Sequence, residues 1–190
     1  MTGAPGVKRL WELAAREEAL GEAIAGARGR MEEKHAQLDA AGVFAEYAEI
    51  HRDYVELAAD PVAGMEALKR AVFLDWYELA EPACFSGLSG LDAAARRECL
   101  RALDRLCARD GLDAELAWVL PWYFLVAAYA FTAFGQLPGL AARLAALDPH
   151  AWEAADPPDD LRQRGRMGEY WQSLFDNLAA PRAIPRPADS

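Results

Sequence analysis

Between Glu115 and Arg143 the chain carries no charged residue. A run of that length meets the requirement for a helix crossing a bilayer, about 20 apolar residues. It therefore decides first whether this is a membrane chain. Pro121 interrupts it near the start, and Gly135-Gln136 and Pro138-Gly139 interrupt it near the end. Neither flank carries the cluster of Lys or Arg that anchors a span. A helix apolar on all sides also suits the centre of a globular bundle. The expectation is a buried central helix, with Trp118, Trp122, Tyr123 and Tyr129 holding their polar atoms at its edges.

The rest of the chain is written in helical spacing. Leu10, Leu13, Leu20, Ile24, Ala27, Met31 and Leu38 recur at steps of three, four or seven. Glu17 and Lys34 stand at two positions of the same seam. This imperfect heptad predicts a long N-terminal helix or a helical hairpin, with a break near Gly26 to Gly29. Phe44, Tyr47, His51, Tyr54, Val55 and Ala58 share a face of the next helix. Asp60-Pro61 reads as N-cap and first helical residue of another. Its stripe of Met65, Leu68, Val72, Trp76 and Leu79, widened by Phe73 and Tyr77, implies deep burial. PACFSGLSG is a turn-rich connection. Asp92 and Asp113 are expected caps of the two helices that follow, Gly139 to Leu147 a short helix, and Gly165 to Leu178 the last one. Between these last two, the loop DPHAWEAADPPDD has room for one turn at Ala151 to Ala155.

No alternation of Val, Ile and Thr marks a strand anywhere. The expected fold is all-α: one bundle-like domain of six or seven helices over residues 1–180, with a Pro-rich disordered tail over 181–190. Hydrophobic residues make up 53% of the 190, enough for one sizeable core.

The charge balance excludes some partners. Thirty acidic residues against 20 basic ones give a net charge of -10. Such a chain repels phosphate backbones and anionic lipid, so neither nucleic acid nor membrane is an expected partner, and a basic protein is favoured. The three cysteines, Cys84, Cys99 and Cys107, are too few and too far apart for a disulfide framework. The N-terminus lacks the apolar stretch of a signal peptide. A reducing, cytoplasmic setting is expected.

No motif compels a reaction. Glu32 and His35 form an ExxH pair, but a di-iron bundle needs two such pairs. His51-Arg52-Asp53 lacks every other kinase element. Ser86 and Ser89 sit in turns with no nucleophile elbow, no CxxC or Cys/His spacing suggests zinc, and Cys84 has no adjacent cation to activate it. No cofactor, metal ligand or catalytic residue is therefore assigned. Asp75, Glu78 and Glu81 step by three along their helix, which reads as a solvated carboxylate face.

Two functions fit these features. The favoured one is a non-enzymatic protein-binding module, in one form an immunity- or antitoxin-like factor. There the Asp75, Glu78 and Glu81 face would cover a basic cleft on the partner, with aromatic anchors at its centre. The alternative is a helical small-molecule-binding protein or enzyme with a pocket lined by His51, Tyr54, Trp76 and Tyr77. A homo-oligomer built on the N-terminal heptads is a further expectation.

Overall fold

Pro5 stands in the first turn of a helix, where its fixed φ helps and its missing N–H costs nothing. A computed structural model describes residues 4–132, 136–154, 158 and 160–179. The expected tail over 181–190 and most of the DPPDD loop lie outside these residues. Helix α1 runs Pro5–Gly26 and buries Leu10, Leu13, Ala14 and Glu17. The chain breaks where the glycines predict, with Gly29 at a φ of 101°. Helix α2 (Met31–Ala40) and helix α3 (Val43–Leu57) follow, separated by Gly42 at a φ of 73°.

The heptad pattern is thus shared between the long α1 and the short α2, which have different neighbours. α1 packs chiefly on α3 and on the last helix, and α2 on α3. α1, at 22 residues, is the long N-terminal helix that the pattern predicts, and the seam passes into α2 after the break at the glycines. Met31, a seam residue in the pattern, is exposed.

Asp60 accepts from the amides of Val62 and Ala63, each at 2.8 Å, and so nucleates the turn ahead of α4 (Gly64–Ala80). α4 is the centre of the molecule. Every residue from Ala67 to Trp76 is buried, including Lys69, Arg70 and Asp75. α3, the three later helices Ala93–Ala108, Ala114–Ala127 and Tyr129–Thr132, and the last helix all pack against it. The sequence reading placed the uncharged run at the centre, because apolarity on all sides signals burial. The structure instead gives that place to a helix whose three buried charges are paired.

Beyond α4 come a short α5 (Ala83–Ser86), α6 (Ala93–Ala108), α7 (Ala114–Ala127), α8 (Tyr129–Thr132), α9 (Pro138–Ala146) and α10 (Gly165–Ala179). Two 3-10 turns, Ala151–Ala154 and Leu161–Gln163, precede α10. Asp92 and Asp113 cap α6 and α7 through their side chains, as expected. Asp104 of α6 accepts from Leu140 N at 2.9 Å and so holds the first turn of α9. α9 lies against α6 closely enough that a Cβ on Gly139 would stand 2.5 Å from Asp104 O.

The fold is all-α, with no strand among the described residues. No helix among them is long and apolar enough to cross a membrane.

Candidate functional site

Three helices bring polar side chains together in the interior. His51 comes from α3, Asp75 from α4, and Arg96 and Cys99 from α6. His51 is 0% exposed, Asp75 3% and Cys99 1%. His51 Nε2 lies 3.0 Å from Asp75 Oδ1, out of line for a hydrogen bond, and Nδ1 finds no partner among the described residues. Arg96 holds the far side of the cluster. Its Nε donates to Asp75 Oδ1 at 3.1 Å, its Nη2 to Asp75 O at 2.8 Å, and its Nη1 pairs with Glu78 Oε2 at 2.7 Å. Burial, reinforced by the Asp75 carboxylate, pushes the Cys99 thiol well above its ordinary range. That thiol is protonated near neutral pH and is no free nucleophile.

A second buried cluster joins α1 to α10. The Tyr54 hydroxyl donates to Glu17 Oε1 at 2.6 Å, and Arg166 N donates to Glu17 Oε2 at 3.0 Å. Glu17 thus caps the N-terminus of α10 from another helix, where the helix dipole favours an anion. Burial nevertheless dominates and raises its carboxyl above the ordinary range, against the pull of Tyr54, Arg166 and Arg70. Arg70 Nη1 reaches the Tyr54 hydroxyl at 3.3 Å, and Arg70 Nε pairs with Glu66 at 2.8 Å.

From Glu66 the charges alternate. Arg164, itself buried, pairs with Glu66 and with Glu115 Oε1, the latter at 2.6 Å. Lys69 pairs with Glu115 at 2.5 Å and with Asp113 at 2.6 Å. Burial alone would raise the Glu66 carboxyl, but Arg164 and Arg70 bring it below its ordinary value. Each buried charge here has a partner, as the low dielectric demands. The cluster ties the start of α7 and the turn before α10 to α4.

The outer surface offers a different feature. Phe124, Leu125, Val126 and Tyr129 all lie exposed along α7 and α8, Leu125 at 58% and Tyr129 at 54%. The Tyr129 hydroxyl donates to Leu79 O, which fixes the ring's outward pose. Beside them is a groove of about 580 Å³ lined by Phe124, Phe131, Leu137, Pro138, Leu140 and Leu144, with Thr132 and Gln136 its only polar lining side chains among the described residues. The other exposed large hydrophobic residues, Trp11, Met31, Val62 and Phe85, belong to other parts of the chain.

The residues singled out from sequence are distributed as follows. His51, Asp75 and Glu78 meet in one cluster. Tyr54 belongs to the Glu17 cluster. Trp76 is core: its indole donates to Tyr123 O at 2.9 Å and stacks on the Tyr123 ring at 4.4 Å. Tyr77 borders a pocket of about 330 Å³ with Arg166, Glu169 and Tyr170. Glu81 alone of these is exposed. The Asp75, Glu78 and Glu81 face read as solvated is therefore corrected. Asp75 is buried, and Glu78 keeps 9% of its side-chain surface, because Arg96 of α6 pairs with both. Sequence reasoning missed Cys99, Arg96 and Glu17 as polar partners. For Glu17 a signal existed, since a charge on an apolar seam has to be paired or protonated. Comparison with protein-family models, curated proteins and solved structures finds no match to the chain.

Proposed function

We propose that the chain is a non-enzymatic protein-binding module, and that its contact surface is the apolar face of α7 and α8 with the adjoining groove. The observation that carries this reading is the run of exposed Phe124, Leu125, Val126 and Tyr129 on a chain that buries most of its other large apolar side chains. Contiguous apolar patches of this kind mark interaction sites, whereas single exposed residues need no explanation. The groove has the volume of a ligand pocket but, among the described residues, lacks the convergent charged and polar groups that orient a small molecule. An amphipathic helix of a partner protein, laid along the groove by its apolar face, suits the lining better.

The net charge of -10 adds a second element. It steers a basic partner toward the chain and speeds encounter more than it tightens the complex. An immunity- or antitoxin-like factor that masks a basic protein is one form of this reading. Three unpaired cysteines suit a reducing compartment, and we place the chain in the cytoplasm.

The test is co-purification of the tagged chain from its own host, wild type beside Leu125→Glu, with quantitative mass spectrometry. One stoichiometric protein partner, held by the wild type at moderate salt and lost from the folded variant, is the expected result. No partner, or the same partner on both, overturns the reading.

A further inference from the structure

The cluster of His51, Asp75 and Cys99 keeps several polar atoms outside its hydrogen bonds. One imidazole nitrogen, one carboxylate oxygen and one sulfur, each from a different helix, all lie within 4.8 Å of one another. Asp75 Oδ1 is held by Arg96, while Asp75 Oδ2 and both His51 nitrogens are buried without a hydrogen-bond partner among the described residues. Buried polar atoms nearly always find partners, so these atoms, one imidazole nitrogen among them within reach of the Asp75 oxygen and the Cys99 sulfur, need a cause.

We propose that His51, Asp75 and Cys99 bind a zinc-like transition-metal ion in the interior, between α3, α4 and α6. Sulfur, imidazole and carboxylate form the mixed set that zinc takes. Around a tetrahedral zinc, with bonds of about 2.0–2.3 Å, the donors stand about 3.3–3.7 Å apart. The observed separations, all within 4.8 Å, lie near that spacing. Charge points the same way. The two carboxylates of Asp75 and Glu78 face the single guanidinium of Arg96 in a water-excluded place. A divalent ion that displaces the Cys99 proton to solvent brings the group to neutrality. Arg96 then acts as the outer partner that orients the ligating carboxylate.

His51 has no exposed surface, so the ion enters as the chain folds. The site is independent of the α7–α8 face, and its failure leaves the docking reading untouched.

The experiment uses the full chain, unfolded in denaturant with a chelator, and then refolded with Zn2+, with Co2+ or with neither. One equivalent of zinc per chain after dialysis is expected, with a raised Tm. The cobalt form is expected to show the intense sulfur-to-metal charge-transfer band of a thiolate ligand. Cys99→Ser is expected to lower the metal content at least tenfold and remove the band, while Cys84→Ser and Cys107→Ser keep both. A wild-type chain that refolds without retaining metal, or a cobalt form without the thiolate band, overturns the proposal. So does a Cys99→Ser chain that keeps the full equivalent. The wild-type cobalt spectrum decides even where the variant fails to fold.

Discussion

Glu17 and Tyr54 share a hydrogen bond of 2.6 Å in the interior, between α1 and α3, with the N-terminus of α10 closing over them. Both acidic groups are pushed above their ordinary ranges, chiefly by burial. The proton is therefore bound more tightly in the folded chain than in the unfolded one. Such a carboxyl favours folding fully below the unfolded value, about 4.3. That contribution is lost as pH rises through the folded value.

Glu17→Gln removes this dependence. The amide has one acceptor oxygen for the two donors now served, so some cost remains at every pH, about 1 kcal/mol. Relative to wild type, however, the variant gains ground steadily as pH rises above about 4.3. Urea unfolding of both proteins from pH 4 to pH 8 checks this. A difference in midpoint that stays constant over the range rules the idea out.

Arg164 carries the opposite sign. It holds Glu66 below the ordinary carboxylate range, so this pair stabilises the fold above the unfolded value and loses that effect as pH falls through the folded one. Arg164→Ala leaves Glu66 and Glu115 short of a buried cation. The expected cost is about 3–5 kcal/mol near neutral pH, the range for breaking a buried ion pair from one side. The gap from wild type narrows in acid, where Glu66 is protonated in both. Denaturant melts at two pH values give the answer.

How far the fold was legible follows from which physical signals are local. Asp92 and Asp113 were readable as caps because a cap acts on amides two or three residues away. The break after Gly26 was readable for the same reason. The choice of central helix was not. The broad stripe of α4 predicts deep burial, but not that Lys69, Arg70 and Asp75 are buried with it, because their partners Glu115, Tyr54 and Arg96 lie 16 to 46 residues away. α7 looked buried because it lacks charge, yet it leaves Leu125 in solvent. Of the candidate site, His51 and Asp75 were picked out by residue type. Their meeting with Cys99 depends on how three helices cross, and no spacing along the chain records that.

Gly165 is predicted to tolerate no side chain. Its φ of 59° lies in the left-handed region, and a Cβ there would collide with the Glu17 carboxylate. Gly165→Ala should therefore lower stability through both effects. Combining it with Glu17→Ala removes the collision but leaves the backbone strain. In a double-mutant cycle by thermal unfolding, the cost of Gly165→Ala should fall by about 1 kcal/mol or more in the Glu17→Ala background. Strict additivity would mean that the two residues do not meet.

Leu125→Glu is predicted to be close to silent in stability. The side chain is 58% exposed, and substitutions at such sites usually stay within about 0.5 kcal/mol. The same change places a charge in the middle of the α7–α8 apolar face and should raise solubility while abolishing partner capture. Glu81→Lys, on an exposed acidic site at the end of α4, should leave the complex nearly intact. It should slow its formation at low salt, because a peripheral charge acts on encounter rather than on dissociation. Surface-bound partner and stopped-flow mixing separate the two rates. A Leu125→Glu protein that folds and still captures its partner would move the contact surface away from α7.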